Sequence, residues 1–141
     1  MATDRCARAV FALGALLAAA DVGLRAWQAH GLAARLDPEG LRWFDTARAH
    51  QFGVALGLIA SAGLMAWGAG RLAQLAALAF LIGGALFCGD LYQAAFAADH
   101  ETTGVAPSGG IATMIAWLLA AAGATRGRPR AGAGTQIRTG G

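Results

Sequence analysis

The chain has 141 residues, of which 57% are hydrophobic and only 13% are charged. An average soluble domain carries about 25% charged residues, so this composition excludes an ordinary water-soluble globular domain and a chain disordered throughout. The net charge is +3, but the arginines lie at the ends of apolar runs and do not form the basic stripe of a nucleic-acid-binding protein. We therefore predict an integral membrane protein whose partner is the lipid bilayer, with no nucleic-acid partner.

The first apolar run permits two interpretations. A basic start, a short apolar stretch over residues 9–20 and small residues at 18–20 are typical of a secretory signal peptide with its cleavage site. Alternatively, one helix continues through Asp21 and Arg25 as a membrane span at about 8–28. Asp21 and Arg25 are four residues apart with the acid first, which is the favourable orientation for a pair on one helix.

Three further apolar runs reach the length of about 20 residues that a membrane helix needs. Asp90 is their only Asp, Glu, Lys or Arg, and they predict spans at about 49–70, 72–97 and 106–125. With the first span, the fold class is all-α integral membrane, a four-transmembrane-helix bundle over residues 1–124. Residues 125–141 are rich in Gly and Arg and lack an apolar core, so we predict a disordered cytoplasmic tail.

The loop after the first span predicts a short helix of its own. Asp37 is a suitable N-cap and Pro38 suits the first helical position. Leu41, Phe44 and Arg48 then recur at helical spacing. This pattern indicates a short interfacial helix in the first outer loop, which leads into the second span.

The distribution of arginines predicts that both termini face the cytoplasm. Under that topology the inner segments and the tail hold seven arginines, and the first outer loop holds four that are accompanied by three acids. The inner arginines are Arg5, Arg8, Arg71, Arg126, Arg128, Arg130 and Arg138, and the outer ones are Arg25, Arg35, Arg42 and Arg48.

Four segments in chain order carry a family resemblance. They are AWQAHGL at 26–32, LDPE at 36–39 with WFDTA at 43–47, LFCGDLY at 86–92, and PSGG at 107–110 followed by Trp117. They resemble motifs of the YgdD-like family, small bacterial inner-membrane proteins with a domain of unknown function. The resemblance covers about residues 8–124. It implies four membrane helices, a retained first helix and a multi-pass location in the bacterial cell inner membrane, and it brings no catalytic residues.

The chain also departs from that family pattern. Arg25 and Gln28 replace two glycines of the first motif, and Asp90 replaces a serine of the third. The histidine of the family's second span is absent, and His50 lies four residues earlier.

A helical rise of about 1.5 Å per residue places most of the polar span residues in the outer half of the bilayer. The candidate polar cluster, with His30 in the adjoining loop, is Asp21, Arg25, His30, His50, Gln51, Asp90 and Tyr92. One interpretation is an outward-facing polar cap, held by an Asp21–Arg25 pair and by Asp90 paired with His50 or Arg25. The other is a pocket in which Asp21, His50 and Asp90 converge to bind a divalent metal or to hold a proton.

The sequence contains no nucleophile motif, phosphate loop or metal-ligand spacing that we would assign to catalysis. We therefore predict no catalytic residues and no cofactor. The favoured function is a non-enzymatic accessory or scaffold component, acting as a homo-oligomer or within a larger membrane complex. The alternative is an outward-facing polar site that handles protons, a divalent metal or a small solute.

Overall fold

The computed structural model describes residues 2–127, which form four long helices. These are α1 (Ala2–His30), α2 (Pro38–Ala66), α3 (Gly70–Phe96) and α4 (Ala106–Arg126). A 3₁₀ turn at Leu32–Ala34 joins α1 to α2, and residues 2–127 contain no strand. All four helices are long and apolar enough to cross a membrane, which confirms the predicted all-α four-helix membrane fold.

The helices extend beyond several of the predicted span limits, because a helix can continue outside the bilayer. The span limits and the division at residue 124 therefore stay predictions. The helical part of the chain continues to Arg126. From residue 128 onward, the predicted tail lies outside the described residues.

Helix α2 lies between α1 and α3, and α4 packs along α3 with a smaller contact to α2. Successive helices run in opposite directions, so the loops at residues 31–37 and 97–105 lie at the same end of the bundle. We call this the outer end, after the predicted topology. Residues 67–69 lie at the opposite, inner end.

Small residues allow the helices to approach closely in the middle of the bundle. The buried Phe80 ring of α3 lies over Gly57 of α2, where a Cβ atom would collide with the ring. Helices α3 and α4 meet at Gly83 and Gly109, because a Cβ on Gly109 would lie 2.7 Å from the Gly83 carbonyl oxygen. In lipid such close approach is a main source of helix association, since the lipid tails are as apolar as the side chains.

The helix predicted in the first outer loop is present as the beginning of α2. The Gly40 N–H donates to Asp37 Oδ1 at 2.8 Å and Pro38 lies in the first turn, which confirms the predicted cap. The helix continues without a break to Ala66, because no further proline interrupts its backbone hydrogen bonds. The predicted short helix and the second span are therefore one helix of 29 residues.

Helix α1 is continuous through residues 18–20, where the signal-peptide interpretation places a cleavage site. Before this point, Gly14 packs so closely on α2 that a Cβ would lie 2.8 Å from the Ala55 carbonyl oxygen. After it, Asp21 is buried and bonds to α2. Both halves of α1 therefore contact the bundle, as expected for a retained first helix.

Candidate functional site

Asp21 forms a buried ion pair with Arg48 that joins α1 to α2. Arg48 Nη1 lies 2.7 Å from Asp21 Oδ1, and the two side chains are 6% and 10% exposed. Arg48 Nη2 also contacts Asp45 Oδ1 at 2.8 Å, three residues earlier on α2. The predicted Asp21–Arg25 pair is wrong. Asp21 faces α2, whereas Arg25 is exposed on α1 and makes no ion pair among the described residues.

Asp90 stabilises the start of α4 from its position on α3. Its Oδ1 accepts hydrogen bonds from the Thr103 N–H at 2.6 Å and the Thr103 hydroxyl at 2.8 Å, and its Oδ2 accepts from the Ala106 N–H at 2.9 Å. The N-cap residue of α4, Val105, has no side-chain capping bond of its own. Asp90 therefore satisfies the Ala106 N–H, one of the backbone donors that the first turn of a helix leaves free, together with an N–H of the loop before it.

The predicted pairing of Asp90 with His50 or Arg25 is also wrong. Asp90 binds the start of α4. His50 of α2 contacts α4 further along, where His50 Nε2 lies 3.1 Å from Thr113 Oγ1. The Thr113 hydroxyl donates to the Gly109 carbonyl oxygen at 3.0 Å, so it accepts the hydrogen bond from His50. The imidazole also stacks on the Phe87 ring of α3, with 3.9 Å between the ring centroids.

Gln51 and Tyr92 form a third polar contact between neighbouring helices. The Tyr92 hydroxyl donates to Gln51 Oε1 at 3.1 Å, and Gln51 Nε2 donates to the Leu17 carbonyl oxygen at 3.4 Å. Both side chains lie at the polar end of an otherwise mainly apolar groove of about 400 Å³ between α1 and α3. Its lining residues are Leu13, Leu17, Gln51, Val54, Leu81, Gly84, Ala85, Cys88, Gly89 and Tyr92.

His30, the remaining residue of the predicted cluster, is exposed at the C-terminal end of α1. It has no hydrogen bond or ion pair within the described part of the chain. A second outer histidine, His100, is engaged instead: its Nε2 lies 2.9 Å from Asp37 Oδ2, and its Nδ1 lies 2.9 Å from the Ala94 carbonyl oxygen.

The electrostatics of this outer pair follow from its hydrogen bonds. The bond to Asp37, and then the bond to Ala94, raise the pKa of His100 above its ordinary value. The Gly40 N–H, followed by His100, lowers the pKa of Asp37. Both residues therefore favour their charged forms at the outer end of the bundle.

Asp21, His50 and Asp90 are not brought together in one pocket. Each forms its own contact between helices, and within residues 2–127 no group of three or more His, Cys, Asp or Glu side chains is arranged to hold a metal ion. Two open cavities do lie beside the Asp21–Arg48 pair. One of about 490 Å³ is lined by Arg25, Gln28, Ala29, Ala33, Leu41, Asp45 and Arg48, and one of about 430 Å³ by Asp21, Val22, Arg25, Arg48, Ala49 and Phe52.

Sequence reasoning missed four participants in these contacts. Arg48 was placed at helical spacing with Leu41 and Phe44 and counted among the outer charges, but its burial on α2 and its pairing with Asp21 were not predicted. Thr103, Thr113 and His100 carry no local signal for their contacts with Asp90, His50 and Asp37, because these partners lie 13, 63 and 63 residues away in the chain.

Comparison with known proteins places the chain in a family. Residues 24–110 match the family described as "Protein of unknown function (DUF423)". The chain is 35% identical over 107 residues to a UPF0382 membrane protein of Haemophilus influenzae, a match that covers 76% of this chain and 86% of the relative. No solved structure matches the chain. The chain therefore belongs to the DUF423 family, and with its four apolar helices it is a membrane protein of a family whose function is unknown.

Proposed function

We propose that the protein is a non-enzymatic accessory or scaffold component of a larger membrane assembly. The supporting observation is that most of the polar side chains of the outer half hold the helices together. Asp21 bonds to Arg48, His50 bonds to Thr113, and Asp90 holds the start of α4. Each of these groups therefore uses at least one polar atom to hold two helices together.

The apolar surface gives the proposal its second support. Helix α1 buries only a small share of its apolar stretch, and Leu16 and Val22 on this helix are each 68% exposed. On α4, Leu118 is 70% exposed. In a bilayer these faces contact either lipid or neighbouring helices, so a small bundle of this kind has ample surface on which further copies or other membrane proteins can pack.

The proposed location is the bacterial inner membrane with both termini in the cytoplasm. The excess of arginine in the segments at the inner end supports this orientation. The resemblance to the YgdD-like family is compatible with membership of the DUF423 family, and it is the basis for naming the inner membrane.

Purification of the tagged chain in a mild detergent tests the proposal. The complex is sized, its proteins are identified by mass spectrometry, and its metal content is measured on the same sample. We expect further copies of the chain or a second membrane protein in fixed stoichiometry, and less than stoichiometric metal. A monomer that retains a stoichiometric divalent metal would contradict the accessory role.

An outward-facing site for a small solute is the second candidate, supported by one specific observation. Arg48 Nε is buried and has no hydrogen-bond partner among the described residues, and Arg48 lines both cavities that open beside it. A solute with a hydrogen-bond acceptor in these cavities would lie beside the Arg48 guanidinium and the exposed Arg25. Thermal stabilisation of the purified protein by such solutes, lost in the Arg25→Gln variant, would favour this candidate. Equal melting temperatures with and without solute would reject it.

A further inference from the structure

His100 connects the ends of two helices through its imidazole ring. Its Nδ1 lies 2.9 Å from the Ala94 carbonyl oxygen at the end of α3, and its Nε2 lies 2.9 Å from Asp37 Oδ2 at the start of α2. The other carboxylate oxygen, Asp37 Oδ1, accepts the Gly40 N–H. One ring therefore links the C-terminal turn of α3 to the capped N-terminus of α2.

Both partners of the ring accept hydrogen bonds and have no proton to donate. This holds for the Ala94 carbonyl oxygen and for the ionised Asp37 carboxylate. A neutral imidazole carries one N–H and can donate to only one of them, whereas an imidazolium carries two. The two contacts are therefore both hydrogen bonds only when His100 is protonated.

We propose that His100 and Asp37 form a proton-controlled latch at the outer end of the bundle. When protonated, His100 donates to Asp37 and Ala94 together and holds the loop at residues 97–105 against the first turn of α2. When the proton leaves to water, one ring nitrogen presents a lone pair to an oxygen lone pair. One hydrogen bond is then lost, and the loop is released from α2 or from the end of α3.

The packing around the His100 ring indicates which parts of the fold this release affects. A Cβ on Gly40 would lie 2.7 Å from the Ala95 carbonyl oxygen and 3.2 Å from His100 Cε1, so the first turn of α2 is seated directly on the end of α3. His100 has a φ of +53°, a left-handed backbone conformation that residues other than glycine rarely adopt. The two ring contacts hold the backbone in this conformation, and the loss of one favours its relaxation.

The charged groups that act on the ring are Asp37, in direct contact, and Glu39. Both are acidic and favour the imidazolium. The bond to Asp37 raises the pKa of His100 above 6.5, so the stabilisation from His100 is complete below pH 6.5 and is lost as the pH rises through the raised pKa. The pKa of Asp37 is lowered from 3.8, so its contribution is lost only as the pH falls through that lowered value. The latch is closed between these two limits.

Nitrogen NMR of the full chain in nanodiscs, labelled at the histidine ring nitrogens, tests the proposal. Below pH 6.5 we expect both ring nitrogens of His100 to show the shifts of a protonated imidazolium, and on raising the pH we expect one of them to lose its proton. In the same range, hydrogen exchange of residues 97–105, corrected for the intrinsic rate, should rise about 2- to 10-fold, the range expected for one lost hydrogen bond.

Two variants separate the latch from a general effect of charge. Asp37→Asn keeps an N-cap oxygen for Gly40 but removes the carboxylate, so the titration midpoint of His100 should move down. Asp99→Asn removes a charge from the same loop. The Asp99 carboxylate accepts a hydrogen bond from the Glu101 N–H and makes none with His100, so the titration midpoint of His100 should not change.

The wild-type spectrum can overturn the proposal even if a variant does not fold. A neutral His100 ring below pH 6.5 would overturn it, as would an unchanged midpoint in a folded Asp37→Asn variant. The latch does not depend on the accessory role, because neither outcome involves a partner protein.

Discussion

Breaking the Asp21–Arg48 pair is expected to destabilise the bundle more than any other change to a single outer charge. Arg48→Met leaves the Asp21 carboxylate, only 10% exposed, without its cation. Loss of one partner from a buried ion pair costs about 3–5 kcal/mol. We expect about 3 kcal/mol, the lower end, because Asp21 lies toward the outer end of the bundle.

Asp21→Asn should cost less, because Arg48 keeps its contact with Asp45. The lost bond to a charged group is worth about 1.5–3 kcal/mol, and the asparagine oxygen still accepts, so we expect about 1.5 kcal/mol. The double variant leaves neither charge buried and unpaired. Its cost should fall below the sum of the single costs by a coupling energy of about 1.5–3 kcal/mol, the range for a hydrogen bond to a charged group.

Reversible unfolding in mixed micelles, followed by helical circular dichroism, measures these free energies. The matched control is the same cycle with Arg25→Gln in place of Arg48→Met, since Arg25 is the exposed arginine one turn after Asp21. Independent sites add within about 0.3–0.5 kcal/mol, and we expect no larger coupling there. A coupling with Arg48 no greater than the average of about 0.6 kcal/mol for polar contacts in membrane bundles, or a larger coupling with Arg25, would refute the pairing.

Three further predictions concern packing, capping and topology. Gly109→Ala should destabilise the bundle by about 1–3 kcal/mol through overpacking, because the added methyl group meets the backbone of α3. The control, Gly89→Ala, adds a methyl group that meets nothing within 4 Å, so it should be neutral or stabilising in the same unfolding assay. Asp90→Ala should cost about 2 kcal/mol through loss of the α4 cap and should speed hydrogen exchange at residues 103–109; unchanged exchange there would contradict the capping role. A membrane-impermeant maleimide should label the exposed Cys6 in inverted vesicles and not in intact cells. The buried Cys88 should stay unlabelled in both. Labelling of Cys6 in intact cells would reverse the proposed orientation.

The second, third and fourth spans could be predicted from the sequence because the signal for each is local, whereas the short first apolar run left two interpretations open. A run of about 20 apolar residues sets a membrane helix almost without regard to the rest of the chain. The Asp37 cap is equally local, since the carboxylate bonds to an N–H three residues later. Asp21, His50 and Asp90 all lie in the halves of their helices nearer to the loops at residues 31–37 and 97–105, and their depth in the bilayer stays a prediction.

The partners of those residues could not be predicted, because depth does not fix the direction in which a side chain points. The spacing of Asp21 and Arg25 favours a pair on one helix, but Asp21 faces α2 and bonds to Arg48, 27 residues away. Asp90 and His50 both turn toward α4, yet they meet different parts of it, at Ala106 and at Thr113. These directions depend on how α1 to α4 are rotated against one another, which only the packed bundle determines.

Site-specific photocrosslinking in native membranes tests the proposed accessory role most directly. A photoreactive residue at Leu16, 68% exposed on α1, is compared with one at Leu58, which is fully buried. The account predicts an adduct of defined mass at Leu16 that contains a second copy of the chain or another membrane protein, and no such adduct at Leu58. Adducts with lipid alone, at Leu16 and equally at the exposed Leu78 of α3 and Leu118 of α4, would contradict it.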